Sequence, residues 1–421
     1  MPVHIGRDLS TGDESLRRAP CSTVDRGPMT SNERPHITLG HPGVLLASVP
    51  HLLGFHPVDS LVVVGLKGPA SASVGVVLRS DLPPPSQVRA LAEYLLLPLT
   101  QHEATGVVLI VVGGRAPVDD LPDRELLARC ESVLVDGGFS ILHQLWTPDI
   151  ASGRRWRCYD DFNCTGVLPD PAGTDLATVV TESGMVTYDR REDIVATLAP
   201  EPPDVLARRS TALDRLTDAT EPSATHPAPP PPADETPTAA PENAEPARAK
   251  PDTPPDRSAP SDPGDDETQD RLDAVRTAIA AAVAAQPTLS DDDVLRLSGA
   301  LADHRVRDTC LDFDALPDVA AAERLWTALA RATPAPERAE PACLLAFSAY
   351  ARGDGVLAGI ALTEAETADP GHRLSGLLRS ALTLGLAPSK IRVAGIRAAT
   401  FARQALNKTT HQADDTTQEE S

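Results

Sequence analysis

The sequence predicts an α/β domain, a mixed sheet covered by helices, followed by an all-α, repeat-like domain. Three observations carry this. Between residues 36 and 200, fully apolar runs rich in Val, Ile and Leu alternate with stretches of helical spacing, the pattern of strands covered on both faces. Between 221 and 263 the chain holds 14 of its 41 prolines among Ala, Thr, Asp and Glu, a composition that cannot bury enough apolar surface to fold. From residue 268 to about 406 the spacing is helical throughout, with Gly or Pro in most gaps.

The elements follow in order. Residues 1–30 are polar and aperiodic and are expected to be disordered, and Met29 offers a second start. Residues 44–53 are apolar and helical, closed by Gly54 and Pro57. Residues 61–66 and 74–82 are β-branched strands around the turn signal Lys67-Gly68-Pro69. Residues 86–97 have helical spacing, with Ser86 as cap and Pro98 as the end. Residues 106–112 (GVVLIVV) form an apolar strand that Gly113-Gly114 stops, and 123–135 form a helix that Gly137-Gly138 terminates. Strands at 140–147 and 154–159 complete the α/β domain, bounded at 31–215. A disordered Pro-rich linker, 216–267, leads to the helical domain, 268–406. There 271–285 is Ala-rich. Ser290 before Asp291, Asp292 and Asp293 marks a helix start, with acids at the positive end of the dipole. Further helices fall near 319–330, 342–352, 356–368 and 374–384. Residues 407–421 are expected to be a disordered acidic tail.

Composition excludes several function classes. The net charge is −22, which argues against nucleic acid, whose binders need a basic footprint, and against anionic membrane. No run offers the ~18 apolar residues of a membrane span. The six cysteines are few and scattered over 421 residues, so a disulfide framework is not expected, and the chain reads as a cytoplasmic protein with reduced thiols.

One stretch invites a catalytic reading. In Phe55-His56-Pro57-Val58-Asp59-Ser60 a histidine, an aspartate and a serine precede a buried strand. A nucleophile elbow would need glycines flanking the serine on a strand-to-helix turn, and Ser60 instead precedes a strand. The plainer expectation is a turn in which Pro57 sets φ, Asp59 caps backbone amides and His56 bonds nearby main chain. With Arg79 and Asp81 at the end of the second strand, these residues would shape a cleft at one sheet edge. The glycines at 113–114 belong to no phosphate-binding fingerprint. Cys158 and Cys164 are six apart with no local His or Cys partner, and His143 is the nearest histidine in sequence. No metal and no cofactor is therefore expected. Arg154, Arg155 and Arg157 around Trp156 read as edge-strand charges.

The stretches Leu45-Leu46-Ala47-Ser48-Val49-Pro50 and Leu53-Gly54-Phe55-His56-Pro57-Val58-Asp59-Ser60-Leu61-Val62-Val63-Val64 resemble the start of the actinobacterial family known as domain of unknown function 4192. Arg79-Ser80-Asp81-Leu82-Pro83, Trp156-Arg157-Cys158-Tyr159 with Cys164, Val306-Arg307-Asp308 and Arg352-Gly353-Asp354-Gly355 are similar to it too. The resemblance covers most of 37–200 and 270–390 and implies kinship, not chemistry. Within the second half, Tyr350-Ala351-Arg352-Gly353-Asp354-Gly355 followed by Ala361, Ala365, Ala368 and Asp369-Pro370 resembles part of a tetratricopeptide repeat.

Two functions are expected from this. The first is a non-enzymatic adaptor or regulator that holds an unknown protein partner. The second is a small-molecule enzyme or sensor with a pocket near His56, Asp59, Arg79 and Asp81. A convergent pocket lined by both His56 and Asp81 would favour the second.

Overall fold

The computed structural model describes residues 4–5, 41–68, 73–114, 120–182, 185–220, 264–284, 287–316 and 318–418. The first half contains β1 (His4–Ile5), α1 (Pro42–Leu53), β2 (Ser60–Lys67), β3 (Ser73–Asp81), α2 (Val88–Gln101), β4 (Gly106–Val112), α3 (Arg124–Asp136), β5 (Ser140–Thr147), β6 (Arg155–Cys158) and β7 (Thr165–Val167). The strands form one mixed sheet in the order β1-β3-β2-β4-β5-β6-β7. Only β4 and β5 run parallel, joined through α3; every other pair is antiparallel.

Successive side chains of a strand face opposite ways. Leu61, Val63, Val76, Leu78, Leu109 and Val111 pack on Leu91, Leu95 and Leu99 of α2 and Leu127 and Leu134 of α3. Val62, Val64, Val77, Val108, Ile110 and Val112 pack the other way, into a core that includes Leu45, Leu46, Val49 and Leu53 of α1. The sheet is thus covered on both faces, which is why its strands read as unbroken apolar runs.

After the sheet come α4 (Asp175–Glu182), α5 (Arg191–Thr197) and α6 (Pro203–Thr220). The second half is helical only: α7 (Gly264–Ala281), α8 (Asp291–Ala302), α9 (His304–Thr309), α10 (Val319–Ala332), α11 (Ala339–Ala351), α12 (Gly355–Ala368), α13 (Arg373–Thr383) and α14 (Pro388–Gln418). The Ser290 start is a capping box: its hydroxyl accepts from the Asp293 amide at 3.1 Å and the Asp293 carboxylate accepts from the Ser290 amide at 3.1 Å. From Ala342 to Ala351 α11 is buried at every position, so it is a central helix rather than a surface one. Arg352-Gly353-Asp354 forms the turn into α12. Arg352 there pairs with Glu323 at 2.8 Å and Asp354 at 3.1 Å, and Asp354 accepts from the Leu357 amide at 3.0 Å.

The core on the α1 side of the sheet runs on without a break into Leu301, Leu329, Ala346 and Ile360 of the helical half. Polar contacts bridge the same seam. Tyr94 donates to the Thr383 carbonyl at 3.0 Å. The Arg209 guanidinium of α6 reaches Asp291 of α8 and the Ala332 carbonyl at the end of α10.

Several expectations need correction. Pro98 does not end α2, which runs to Gln101. A proline forfeits one ladder bond, but Leu95 and Leu99 are buried on the sheet and hold the turn on either side of it. Residues 407–418, expected as a disordered tail, continue α14, since the chain has no proline after Pro388. Helices also run to Thr220 and from Gly264, inside the flanks of the expected linker. Its remainder, 221–263, lies outside the described residues, as do 1–3 and 6–30; His4 and Ile5 pair with Arg79 and Leu78. Among the described residues no helix is long and apolar enough to cross a membrane.

Candidate functional site

Gly54 ends α1 in the left-handed region, φ 84°, with its amide on the Pro50 carbonyl at 2.7 Å. The chain then leaves the helix and forms two main-chain bonds with a distant segment. His56 N–H donates to Tyr188 O at 3.2 Å, and Tyr188 N–H donates to Gly54 O at 2.8 Å. This short bridge brings residues 190–192 alongside the turn. Between the two segments opens a cleft of about 490 Å³, walled by Phe55, His56 and Val58 on one side, Arg190, Arg191 and Glu192 on the other, and floored by Arg79 and Asp81.

Arg79 is 8% exposed. Its Nε donates to Ser60 Oγ at 2.8 Å, its Nη2 to the Val58 carbonyl at 3.3 Å, and it pairs with Asp81 at 2.6 Å. The guanidinium also lies over the Phe55 ring, 5.9 Å from its centre. Ser60 in turn donates to the Val58 carbonyl at 2.6 Å. Its hydroxyl is therefore committed on both sides, and among the described residues no base hydrogen-bonds to it. Asp59 sits apart from the cleft. It adopts φ 42°, tolerated best by Asp, Asn and Gly, and accepts from the Gly114 amide at 3.0 Å. Gly113 is required there, because a Cβ would collide with the Asp59 carboxylate. His56, Asp59 and Ser60 thus form no catalytic triad. Burial, reinforced by the charge of Asp59, raises the pKa of Asp123 on the far side of Gly114.

Of the six candidate residues, the structure brings Phe55, His56, Arg79 and Asp81 into the cleft, with Ser60 behind Arg79 and Asp59 outside. The wall at 190–192 was missed by sequence reasoning. Its only local signal is a double arginine before two acids. Arg191 is half-buried, and burial lowers the pKa of its guanidinium; the charge of Arg79 adds to this, while Glu192 and Asp81 oppose it. Among the described residues its Nε is buried without a hydrogen-bond partner.

A second constellation lies at the other end of the sheet. The ligand atoms of His143 on β5, Cys158 on β6 and Cys164 before β7 all fall within 4.8 Å of one another. Spacing along the chain argued against any such grouping, and strand pairing overrides it. The basic cluster divides as strand alternation requires. Trp156 is buried, with its indole against Gly43 and Gly166, while Arg155 and Arg157 face solvent.

The profile of a family described as a domain of unknown function, DUF4192, matches residues 42–389. The chain belongs to the DUF4192 family. The DUF4192 match spans strands β2 to β7, both constellations and the helices through α13, so the family unit includes both halves of the chain. No curated protein and no solved structure matches this DUF4192 chain.

Proposed function

We propose that this DUF4192 protein binds a small carboxylate- or phosphate-bearing molecule in the cleft between residues 55–58 and 190–192, as a sensor or as an enzyme. The observation that carries this is Arg191. Burial and the charge of Arg79 disfavour this half-buried guanidinium, Glu192 and Asp81 offset them in part, and among the described residues its Nε has no partner, so an anion bridging the two arginines would stabilise it. Arg190 adds a further cation to the lining. In the cleft lining three guanidiniums, Arg79, Arg190 and Arg191, meet two carboxylates, Glu192 and Asp81, and Asp81 pairs with Arg79 while also acting on Arg191. A guanidinium fork matches a carboxylate or phosphate in a bidentate way. That His56 and Asp81 both line the cleft supports this reading over the adaptor. The wall also has a route to the rest of the protein: α5 packs on α12, and Ile194 and Leu198 belong to the core shared with the helical half.

The test is titration of the full chain with orthophosphate and with a panel of small mono- and dicarboxylates, read by calorimetry and thermal melting. Saturable binding that raises the melting temperature and vanishes in Arg190→Ala/Arg191→Ala is expected. Absence of binding by both classes, or binding that survives the double substitution, overturns the proposal.

One observation favours the adaptor as a second reading: Leu377 on α13 and Phe401 on α14 stand 69% and 72% exposed. The tetratricopeptide-like hairpin α11–α12 would then serve as support rather than as the contact face, since α11 is buried along its length. Leu377→Ser/Phe401→Ser in the full chain should leave melting unchanged and remove any protein partner cross-linked in the host.

A further inference from the structure

We propose that His143, Cys158 and Cys164 form a binding site for a zinc-class cation that clips the edge of the sheet. The geometry arises from strand register. β5 and β6 pair antiparallel with Leu145 opposite Cys158. His143, two residues before Leu145, points to the same face and lies where the chain leaves β6. Residues 159–163 then turn back. Cys164 N–H donates to Asp161 O at 3.0 Å and Cys158 N–H donates to Cys164 O at 2.9 Å, so the turn holds both sulfurs over the imidazole.

The distances suit a metal. Zinc–sulfur bonds of about 2.3 Å and zinc–nitrogen bonds of about 2.0 Å in tetrahedral geometry set ligand atoms roughly 3.5–3.8 Å apart. The three atoms already lie within 4.8 Å, so the site closes by about an ångström. The donor set is right in kind as well. Two thiolates and one imidazole are ligands that select zinc over calcium or magnesium.

Charge decides between this cation and the buried surroundings. Cys158 and Cys164 are 6% and 3% exposed, where an uncompensated charge is costly. A dication bound by two thiolates and a neutral imidazole carries no net charge. Loading from the thiol form releases two protons, one from each sulfur. The fourth position falls to water, which leaves the neutral charge balance unchanged.

The site would also supply something that the fold lacks. β6 and β7 are the weak end of the sheet: β7 has three residues, and β6 meets β5 at only two residue pairs. A metal bridging β5 to the ends of β6 and β7 fastens that edge without lengthening the ladder.

The experiment uses the full chain, stripped with chelator, reloaded with zinc ion alone and dialysed. About one zinc per chain is expected by elemental analysis, with a rise in melting temperature that chelator reverses. Cobalt substitution should give a thiolate-to-metal charge-transfer band. Cys158→Ser and Cys164→Ser should lose the band, but they also disturb the core. His143→Ala changes a half-buried side chain and is the decisive variant: it should melt cooperatively like the zinc-free wild type and bind zinc at least tenfold more weakly. Zinc content far below stoichiometric after reloading overturns the site. So does zinc retained by the triple variant His143→Ala/Cys158→Ser/Cys164→Ser, or a Cys158–Cys164 disulfide in chain purified under reducing conditions.

Discussion

Arg209 offers a direct measurement of how tightly the two halves are joined. Its guanidinium, 5% exposed, donates to Asp291 at 2.8 Å, to Glu201 at 2.9 Å and to the Ala332 carbonyl at 2.7 Å. Arg209→Met keeps most of the stem and removes every donor. The Ala332 carbonyl is then stranded in the interior, at roughly 1–3 kcal/mol. Glu201 is 33% exposed and rehydrates, so its lost ion pair adds no more than about 1 kcal/mol. Asp291 is open to solvent and keeps Arg208, and it contributes nothing to the sum. The expected loss is about 2–3 kcal/mol. Urea unfolding should be followed by two probes. In a Trp326→Phe background, which removes the buried tryptophan of α10, fluorescence comes from Trp146 and Trp156 on the sheet, whereas far-ultraviolet dichroism reports the helices. Because both halves share one core, the two curves should coincide and shift together. A loss below about 0.5 kcal/mol, or a shift confined to one probe, would refute the reasoning that this seam bears on the stability of the whole.

Other outcomes follow from the same geometry. Asp59→Ala should cost about 1–2 kcal/mol in thermal melts, because it removes the acceptor for the Gly114 amide and puts a residue ill-suited to φ 42° at the turn; Asp59→Gly should cost less. The raised pKa of Asp123 means that its ionised form is disfavoured in the folded state. The penalty is full at neutral pH and disappears below the ordinary aspartate value, about 3.9. Asp123→Asn should therefore raise the melting temperature at pH 7 and lose that advantage near pH 3, and an advantage independent of pH would contradict the assignment. Limited proteolysis should cut first within the proline-dense 221–263, and the two fragments should co-elute under native conditions because apolar contacts across the seam hold them.

The strands at 106–112 and 61–66 were legible because a sheet covered on both faces writes itself as unbroken Val, Ile and Leu. β7, only Thr165–Val167, and α5, with Ile194 its one buried residue, are too short to leave a period. Half of the cleft was legible as well, since Phe55, His56, Arg79 and Asp81 lie on or beside the strands that could be read. The other wall was not. Arg190–Glu192 arrives through main-chain bonds of Tyr188, and main-chain bonds are blind to side-chain identity. The same limit hid His143 from Cys158 and Cys164: the usual zinc spacing assumes ligands on one local loop, whereas here a register between two strands supplies the third.

The apolar character of β2, β3 and β4 has a consequence for folding. Where only one face of a strand is greasy, a slip of one residue exposes the wrong side chains and is penalised at once. Here a slip exchanges one apolar set for another, so burial alone discriminates poorly between alignments. Something else must set the frame. Ser60 lies opposite Asp81 and opposite Val112, and at that level Arg79 ties Ser60 to Asp81 while Asp59 grips Gly114. Gly65 adds a steric check at the far end, where a Cβ would stand 2.7 Å from Leu99 and 2.9 Å from Val76. The polar turn thus acts as an alignment key, and damage to it should appear as misregistered, slowly refolding chains before it appears as lost contacts.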